Sequence, residues 1–536
     1  MKRLFILFAL ICFLIVSAPA FSSEISNFFY PYGFKTPLLK GGQWASSIAY
    51  HYRKDESWRD PLNDPFYSKN IRKTQFFSLR SVYALVDRII LETSLDFFPE
   101  QTRVTYWNGN HPKPLELISK NRSNFFISPS FDVSFRPKRN IDIFGTFYCS
   151  KEKQRRFICV EPFFETEMLI KTYHLNFGFI MLGNSLFAVF SPLSDPEVNN
   201  FIVPYGFRMP VLNQWQRSIS FSFQYWKTEA DLSYLEFHDI MTEKRYNFSL
   251  DVIYALTKDL VLKSNLDIYP AQDRKTNPGY YAYYTYGDVK PTQDMIRSEF
   301  NISPFFSVSF RPKDNIELNG SFFIRRENFK FDKKFQSAYL DDRRKLWYFD
   351  LGLSFLGRLS QITAPVMKSE FSNFFIPYGF STPPLKPGQF TLNINYRYHR
   401  TEYEGDEDAY HGYRSYITDK EYYISLNAAL GAANCLVLKG CLDFYPSQNR
   451  TCYRTDKNDS PWYMENEHSN STVCPSLLVS LRPRTNLNLY VGYYWTEEKL
   501  HSKGEYAIDP QWDERRYEKR KAWYLDFGLT ILGNLW

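Results

Sequence analysis

The sequence predicts an all-β fold, a single up-and-down antiparallel transmembrane β-barrel of about 18 strands. Three observations lead there. Apolar and polar residues alternate at period two in runs of roughly ten residues or more. Long and short connections between those runs alternate by strict parity. One six-strand unit occurs three times in the same order, the signature of an internal repeat. Strands of a sandwich or propeller usually hold about 5–6 residues, whereas about 9–11 cross a bilayer at a tilt.

The repeat is carried by three landmarks. Pro31-Tyr32-Gly33-Phe34 recurs as Pro204-Tyr205-Gly206-Phe207 and Pro377-Tyr378-Gly379-Phe380, both intervals being 173 residues. Arg136-Pro137-Lys138 recurs as Arg311-Pro312-Lys313 and Arg482-Pro483-Arg484. Asn176-Phe177-Gly178-Phe179 recurs as Asp350-Leu351-Gly352-Leu353 and Asp526-Phe527-Gly528-Leu529. The units are therefore approximately 24–184, 197–357 and 370–536.

In the first unit the strands fall near 43–53, 74–86, 88–98, 123–136, 140–150 and 171–182. Tight turns such as Val86-Asp87-Arg88 and the Arg-Pro-Lys corners follow the second and fourth strands. Long polar loops, such as Lys54 to Lys73 and Glu100 to Arg122, follow the first, third and fifth. A meander of this kind places every long loop at one end and every short turn, with both termini, at the other. Six strands are too few for a closed membrane barrel, so the three units share one wall.

The N-terminus reads as a signal peptide over 1–20: Lys2 and Arg3, an apolar run from Leu4 to Val16, then Ala18-Pro19-Ala20. Residues 21–536 form the barrel. The chain holds 49 Phe, 40 Tyr and 11 Trp, an aromatic content that suits a lipid face and its borders. Net charge is +7, and loss of Lys2 and Arg3 leaves +5, too weak and mixed to argue for nucleic acid. Cysteines are uneven: Cys149 and Cys159 lie in the first unit, and Cys435, Cys441, Cys452 and Cys474 in the third. Cys441 and Cys474 are expected as inward neighbours on adjacent strands. No spacing fits a metal site or a catalytic triad; no cofactor and no enzymatic activity are expected.

The chain ends on Trp536, directly after an alternating strand. That ending, with the short-turn and long-loop asymmetry, resembles bacterial outer-membrane β-barrels of the porin-like class. The resemblance implies an outer-membrane location with both termini in the periplasm. It also implies partnership with membrane lipid and the barrel-assembly machinery, with Trp536 as the assembly signal. A homo-oligomer is left open.

Alternation assigns the lumen. Asp96, Asp267 and Asp443 take one inward position of the third strand, with Glu92, Lys263 and Lys439 four residues earlier. Arg136, Arg311 and Arg482 face inward beside the short turns, Asp142, Glu317 and Asn488 open the fifth strand, and Asp350 and Asp526 lie inward on the last. Such charges either pair across strands and stiffen the wall or set a pore's electrostatics. The Pro-Tyr-Gly-Phe segments precede equivalent strands. They are expected at the periplasmic mouth, narrowing it with aromatics buried on the rim or on one another. The function these features favour is a pore for small hydrophilic solutes with weak charge selectivity. The alternative is a surface interaction or structural protein acting through its long loops; an open lumen with a polar lining would favour transport, and a lumen closed by folded-in loops would favour interaction or gating.

Overall fold

The computed structural model describes residues 25–534 except 62–66, 100, 109–115, 159–163, 185–192, 235–236, 271, 278–293, 299, 334–337, 360–367, 409–412, 447, 456–460 and 507–513. The signal-peptide region, Cys159 and Trp536 lie outside the described residues. One closed antiparallel sheet of 18 strands forms the molecule. Its strands are β1 (Gln43–Pro61), β2 (Tyr67–Val86), β3 (Ile89–Phe98 continued by Gln101–Asn108), β4 (Glu116–Ser123 and Phe126–Lys138), β5 (Ile141–Ile158) and β6 (Phe164–Gly183). Next come β7 (Arg217–Tyr234), β8 (Phe237–Ala255), β9 (Leu260–Tyr269 and Gln272–Asn277), β10 (Asp294–Ser298 and Asn301–Lys313), β11 (Ile316–Lys333) and β12 (Ala338–Arg358). The wall finishes with β13 (Gln389–Asp408), β14 (Tyr413–Ala433), β15 (Leu436–Tyr445 and Gln448–Thr455), β16 (Pro461–Ser469 and Thr472–Arg484), β17 (Leu487–Tyr506) and β18 (Glu514–Asn534). The seam joins β1 to β18 from Gln43↔Asn534 to Pro61↔Arg516.

Period two decides what each face meets. Leu525, Leu351, Leu353, Phe177, Phe179 and Phe322 are exposed on the outside, while Asn176, Asp350 and Ser354 on the same strands are buried inward. Trp347, Trp495 and Trp523 mark the outer border on the long-loop side. Arg400 lies 5.0 Å over the first of these rings and Lys54 5.1 Å over the last, as expected of an interfacial aromatic girdle. From Trp523 to Ile531 the wall rises about 20 Å once tilted, close to the apolar band of about 25 Å in such barrels.

The strands run past that border. Most of Lys54–Lys73 and Glu100–Arg122, expected as loops, is strand, and the ladder β1–β2 continues from Lys54↔Lys73 to Arg59↔Ser68. The apolar signal ends at the girdle, but backbone pairing continues on charged cross-strand contacts such as Lys153–Glu167 at 2.6 Å and Lys519–Glu497 at 2.6 Å. Proline interrupts the third strand of each set at Pro99, Pro270 and Pro446, where the ladder loses a donor. At the first break Gln101 repairs the gap: its amide donates to the Gln75 and Pro99 carbonyls at 2.6 and 2.8 Å, and its Oε1 accepts from the Gln75 N–H at 2.8 Å.

Candidate functional site: a three-segment closure of the turn-side mouth

Three segments stand outside the wall's ladder: residues 25–42 before β1, 193–216 before β7 and 368–388 before β13. Each contains a Pro-Tyr-Gly-Phe turn. The Phe N–H donates to the Pro carbonyl at 3.0 Å in all three, and the glycines Gly33, Gly206 and Gly379 have φ of +85°, +94° and +72°. A hydrogen-bonded turn with Pro ahead of a positive-φ third residue has the character of a type II turn, which is why that residue is glycine.

The turns aim the segments at one another. The Tyr32 N–H donates to the Phe201 carbonyl at 2.7 Å, that of Tyr205 to Phe374 at 2.8 Å, and that of Tyr378 to Phe28 at 2.8 Å. First binds second, second binds third, and third binds first, so the ring is cyclic and closed. Phe29, Ile202 and Phe375, one from each segment, form a buried cluster at its centre, with the Phe29 and Phe375 rings edge-to-face at 5.4 Å.

Three further clusters fix the ring to the wall. Phe34 and Met209 pack with Ile180, Leu182, Ile253 and Val261. Phe28, Tyr378 and Phe380 pack with Ala45, Val82, Ile90 and Leu532. Phe207 and Phe374 pack with Leu356, Ala429 and Val437. Burying each such side chain stabilises by about 1.5–3 kcal/mol, so the ring is a packed element. Its aromatics are buried both against the inner rim and on one another.

Each basic residue next to a turn grips its own segment. Arg136 donates to the carbonyls of Thr36 and Pro37, Arg311 to those of Met209 and Pro210, and Arg482 to those of Thr382 and Pro383. All three are inward but only 3, 1 and 8 % exposed, so they are covered by the segments and do not meet lumen water. Asp142 lies 3.5 Å from Arg136 and accepts from the Lys35 N–H. Glu317 lies 3.7 Å from Arg311 and accepts from the Arg208 N–H. Asn488 occupies the third place and donates to the Ser381 hydroxyl at 3.4 Å.

Glu92, Lys263 and Lys439 hold the three turn tyrosines. Lys263 donates to the Tyr32 hydroxyl at 2.5 Å and pairs with Asp251 at 3.2 Å. Lys439 stands 5.3 Å over the Tyr205 ring. Tyr378 donates to Glu92 at 2.8 Å; burial, then the nearby carboxylate, pushes its phenol well above the usual range, so it keeps the proton it donates. Sequence alternation placed these side chains inward. It carried no signal that the tyrosine each one meets belongs to a segment attached to another part of the wall.

Above the ring the remaining lumen candidates separate. Asp350 collects Arg208 at 3.1 Å, Arg397 at 3.4 Å and the Tyr348 hydroxyl at 3.0 Å. Asp526 pairs with His51 at 2.8 Å. Asp443 accepts from Tyr423 at 2.8 Å, Ser425 at 2.7 Å and Cys441 at 3.0 Å. Asp267 lies opposite Ser249 and Ser303. Asp96 has an Oδ1 buried without a hydrogen-bond partner. Cys441 and Cys474 are not opposed: Cys441 faces Ser476, Cys474 faces Asp443, and both thiols are free. The register of β15 against β16 sets the two cysteines two residues apart along the ladder.

Aromatic rings line the inner wall at this level. On one side His51, Phe76, Phe98 and Phe126 stack in succession across β1 to β4, at 4.4, 5.1 and 4.4 Å. On the other, Arg397, Glu421, Tyr423, Tyr445, Tyr494 and Glu498 line a cavity of about 250 Å³.

No protein-family model matches the chain, and no curated protein matches it. Solved structures do resemble it. The alcaligin outer-membrane receptor FauA from Bordetella pertussis shares 9 % identity over 91 % of this chain and 77 % of its own, with a TM-score of 0.40. The siderophore receptor PiuA from Acinetobacter baumannii shares 8 % identity over 92 % and 82 %, at 0.41. A Pseudomonas aeruginosa FadL homologue shares 8 % over 91 % and 90 %, at 0.33. What stands for this chain is its own closed antiparallel barrel of 18 strands; at these identities and scores the likeness carries nothing about location, role or ligand.

Proposed function

We propose that this protein is an outer-membrane transport barrel for small hydrophilic solutes whose periplasmic mouth is stoppered by its own three segments. The observation that carries the reading is the cyclic ring of Tyr32, Tyr205 and Tyr378 N–H donors around the Phe29–Ile202–Phe375 centre. An 18-strand wall encloses more space than its own side chains fill, and here linkers occupy one end. Passage of solute then requires the ring to part, so the barrel is a gated carrier and not a constitutively open pore. Above the ring, paired acids and bases such as Asp350 with Arg397 support weak charge preference. The apolar outer band, the short turns at the ring end and the long charged hairpins at the other suit an outer membrane with both termini on the periplasmic side. In this reading 1–20 is the export signal, Trp536 serves assembly, and the protein performs no catalysis.

Planar-bilayer recording tests this. The natural protein should show little steady conductance. Phe29→Asp, Ile202→Asp and Phe375→Asp together should give a folded barrel that conducts with modest cation-to-anion bias. Large steady conductance in the natural protein would overturn the stopper. A folded, ring-broken variant that conducts nothing would overturn transport and favour the surface-interaction reading.

A further inference from the structure

We propose that the cavity on the inner wall of β13 to β17 is a binding site for a neutral, polyhydroxylated six-membered ring, that is, a pyranose sugar. The inference deepens the transport reading and rests on it for its physiological sense. The residues that line it stand on wall strands and not on the three segments that close the mouth.

Size comes first. At about 250 Å³ the cavity lies just under the roughly 300–1,000 Å³ of sites for drug-sized ligands, which suits one ring and its substituents. The lining supplies both halves of sugar recognition. Tyr423, Tyr445 and Tyr494 contribute aromatic surface, and Arg397, Glu421 and Glu498 contribute planar groups able to bond vicinal hydroxyls. A pyranose has an apolar C–H face and a hydroxylated edge, and a tyrosine offers the same combination of apolar body and polar tip.

The rings are held in place before any ligand arrives. Tyr423 is tied to Asp443 through its hydroxyl at 2.8 Å and packs against Tyr445 at 5.1 Å. Tyr494 packs edge-on against Tyr524 at 5.1 Å. Preorganisation of this kind reduces the ordering cost of binding.

Charge then selects the class. Arg397 is met by Asp350 at 3.4 Å, Glu421 by His399 at 3.2 Å, and Glu498 by Arg520 at 3.8 Å. Every ionic group lining the cavity has an opposite or hydrogen-bonding partner within the wall. A cationic ligand would approach Arg397, and an anionic one Glu421 and Glu498, so either would lie against a like charge. A neutral polyol ring meets no such cost and can share hydrogens with all three.

Saturation-transfer NMR on the full barrel in micelles tests the assignment without requiring flux. Maltotriose and methyl N-acetylglucosaminide are the ring probes; sorbitol, choline and citrate are the open-chain, cationic and anionic controls. At least one ring probe should bind saturably and the three controls should not. Tyr445→Ala and Tyr494→Ala should each weaken that binding by tenfold or more, whereas Phe98→Ala, across the wall, should leave it unchanged. Loss of the fast-migrating unheated gel form shows whether a variant has failed to fold. Tyr494→Phe keeps the ring and should retain most of the binding if Tyr494→Ala is unstable. No binding of either ring probe would overturn the site. Binding of choline or citrate with the same dependence on Tyr445 would overturn the ligand class. Failure of the ring-broken barrel to conduct, with sugar binding intact, would overturn transport alone.

Discussion

Two sectors of the inner wall lie at the same height and share one register, yet they differ in chemistry. His51 opposes Phe76, Phe77 opposes Phe97, and Phe98 opposes Phe126. Arg397 opposes Tyr423, Ile424 opposes Phe444, and Tyr445 opposes Thr472. The first sector puts three phenylalanines and a histidine into one continuous stack. The second puts an arginine, two tyrosines and a threonine around an open cavity. Backbone pairing is the same in both, so the wall fixes where side chains stand and leaves what they do to residue type. A hydroxyl on Tyr423 recruits Asp443; Phe76 has none to offer, and Asp96 is left with a buried, unpartnered oxygen.

The comparison depends on register, and a cross-link tests that with an all-or-none result. Ser476→Cys should join Cys441 on oxidation, while the natural Cys441 and Cys474 should stay reduced under the same treatment. Capture of Cys441 by Cys474, read by peptide mapping, would shift β16 by two residues and remove the equivalence.

The next largest effect concerns the two aspartates. Asp443→Ala leaves three donors without their acceptor, and each buried unpaired donor costs about 1–3 kcal/mol. Asp96→Ala removes a group whose Oδ1 accepts nothing and should be neutral or slightly stabilising. The temperature at which the unheated gel form disappears should fall clearly for the first and hold or rise for the second. Equal falls would mean that the two sectors do not differ in this way.

The rings should separate by a smaller margin. Phe98 stacks on both Phe76 and Phe126, whereas Tyr445 has, among the described residues, one ring neighbour, Tyr423. With about 0.5–1.5 kcal/mol per aromatic pair beyond burial, Phe98→Ala should cost roughly twice what Tyr445→Ala does in the same melting assay. A larger loss at Tyr445 would reverse the contrast.

The smallest effect is electrical. In the ring-broken barrel, Asp96→Asn should move the reversal potential toward anions more than Asp443→Asn. The Asp443 charge is already shared among three donors. A larger shift from Asp443→Asn would show that hydrogen bonding there leaves its field undiminished in the lumen.

The wall was legible in the sequence because its signals are local. Period-two alternation on β18, from Trp523 to Ile531, names both faces, and Pro-Lys or Asp-Arg corners mark the turns. Strand length past the girdle was not legible, since charged pairs such as Lys519 with Glu497 look like loop when apolar alternation stops. The turns in the three segments were visible from Pro and Gly. Their mutual pairing was not, because Tyr378 meets Phe28 and Glu92 some 350 and 286 residues away, a relation that leaves no periodic trace. For Arg136, Arg311 and Arg482 alternation assigns a face, but it cannot tell a residue bathed in water from one gripping a covering segment.

The cyclic ring also has a history written into its order. A partial chain ending before residue 368 can form the bond from Tyr32 to Phe201, but it leaves the Phe28 carbonyl and the Tyr205 N–H without mates. Both are supplied by the last segment to be synthesised, and the seam between β1 and β18 likewise waits for the final strand. Contacts this distant in sequence form slowly, after the loop-closure entropy has been overcome. The mouth therefore seals late, at the stage when the wall itself becomes continuous, and an unfinished barrel remains open at that end.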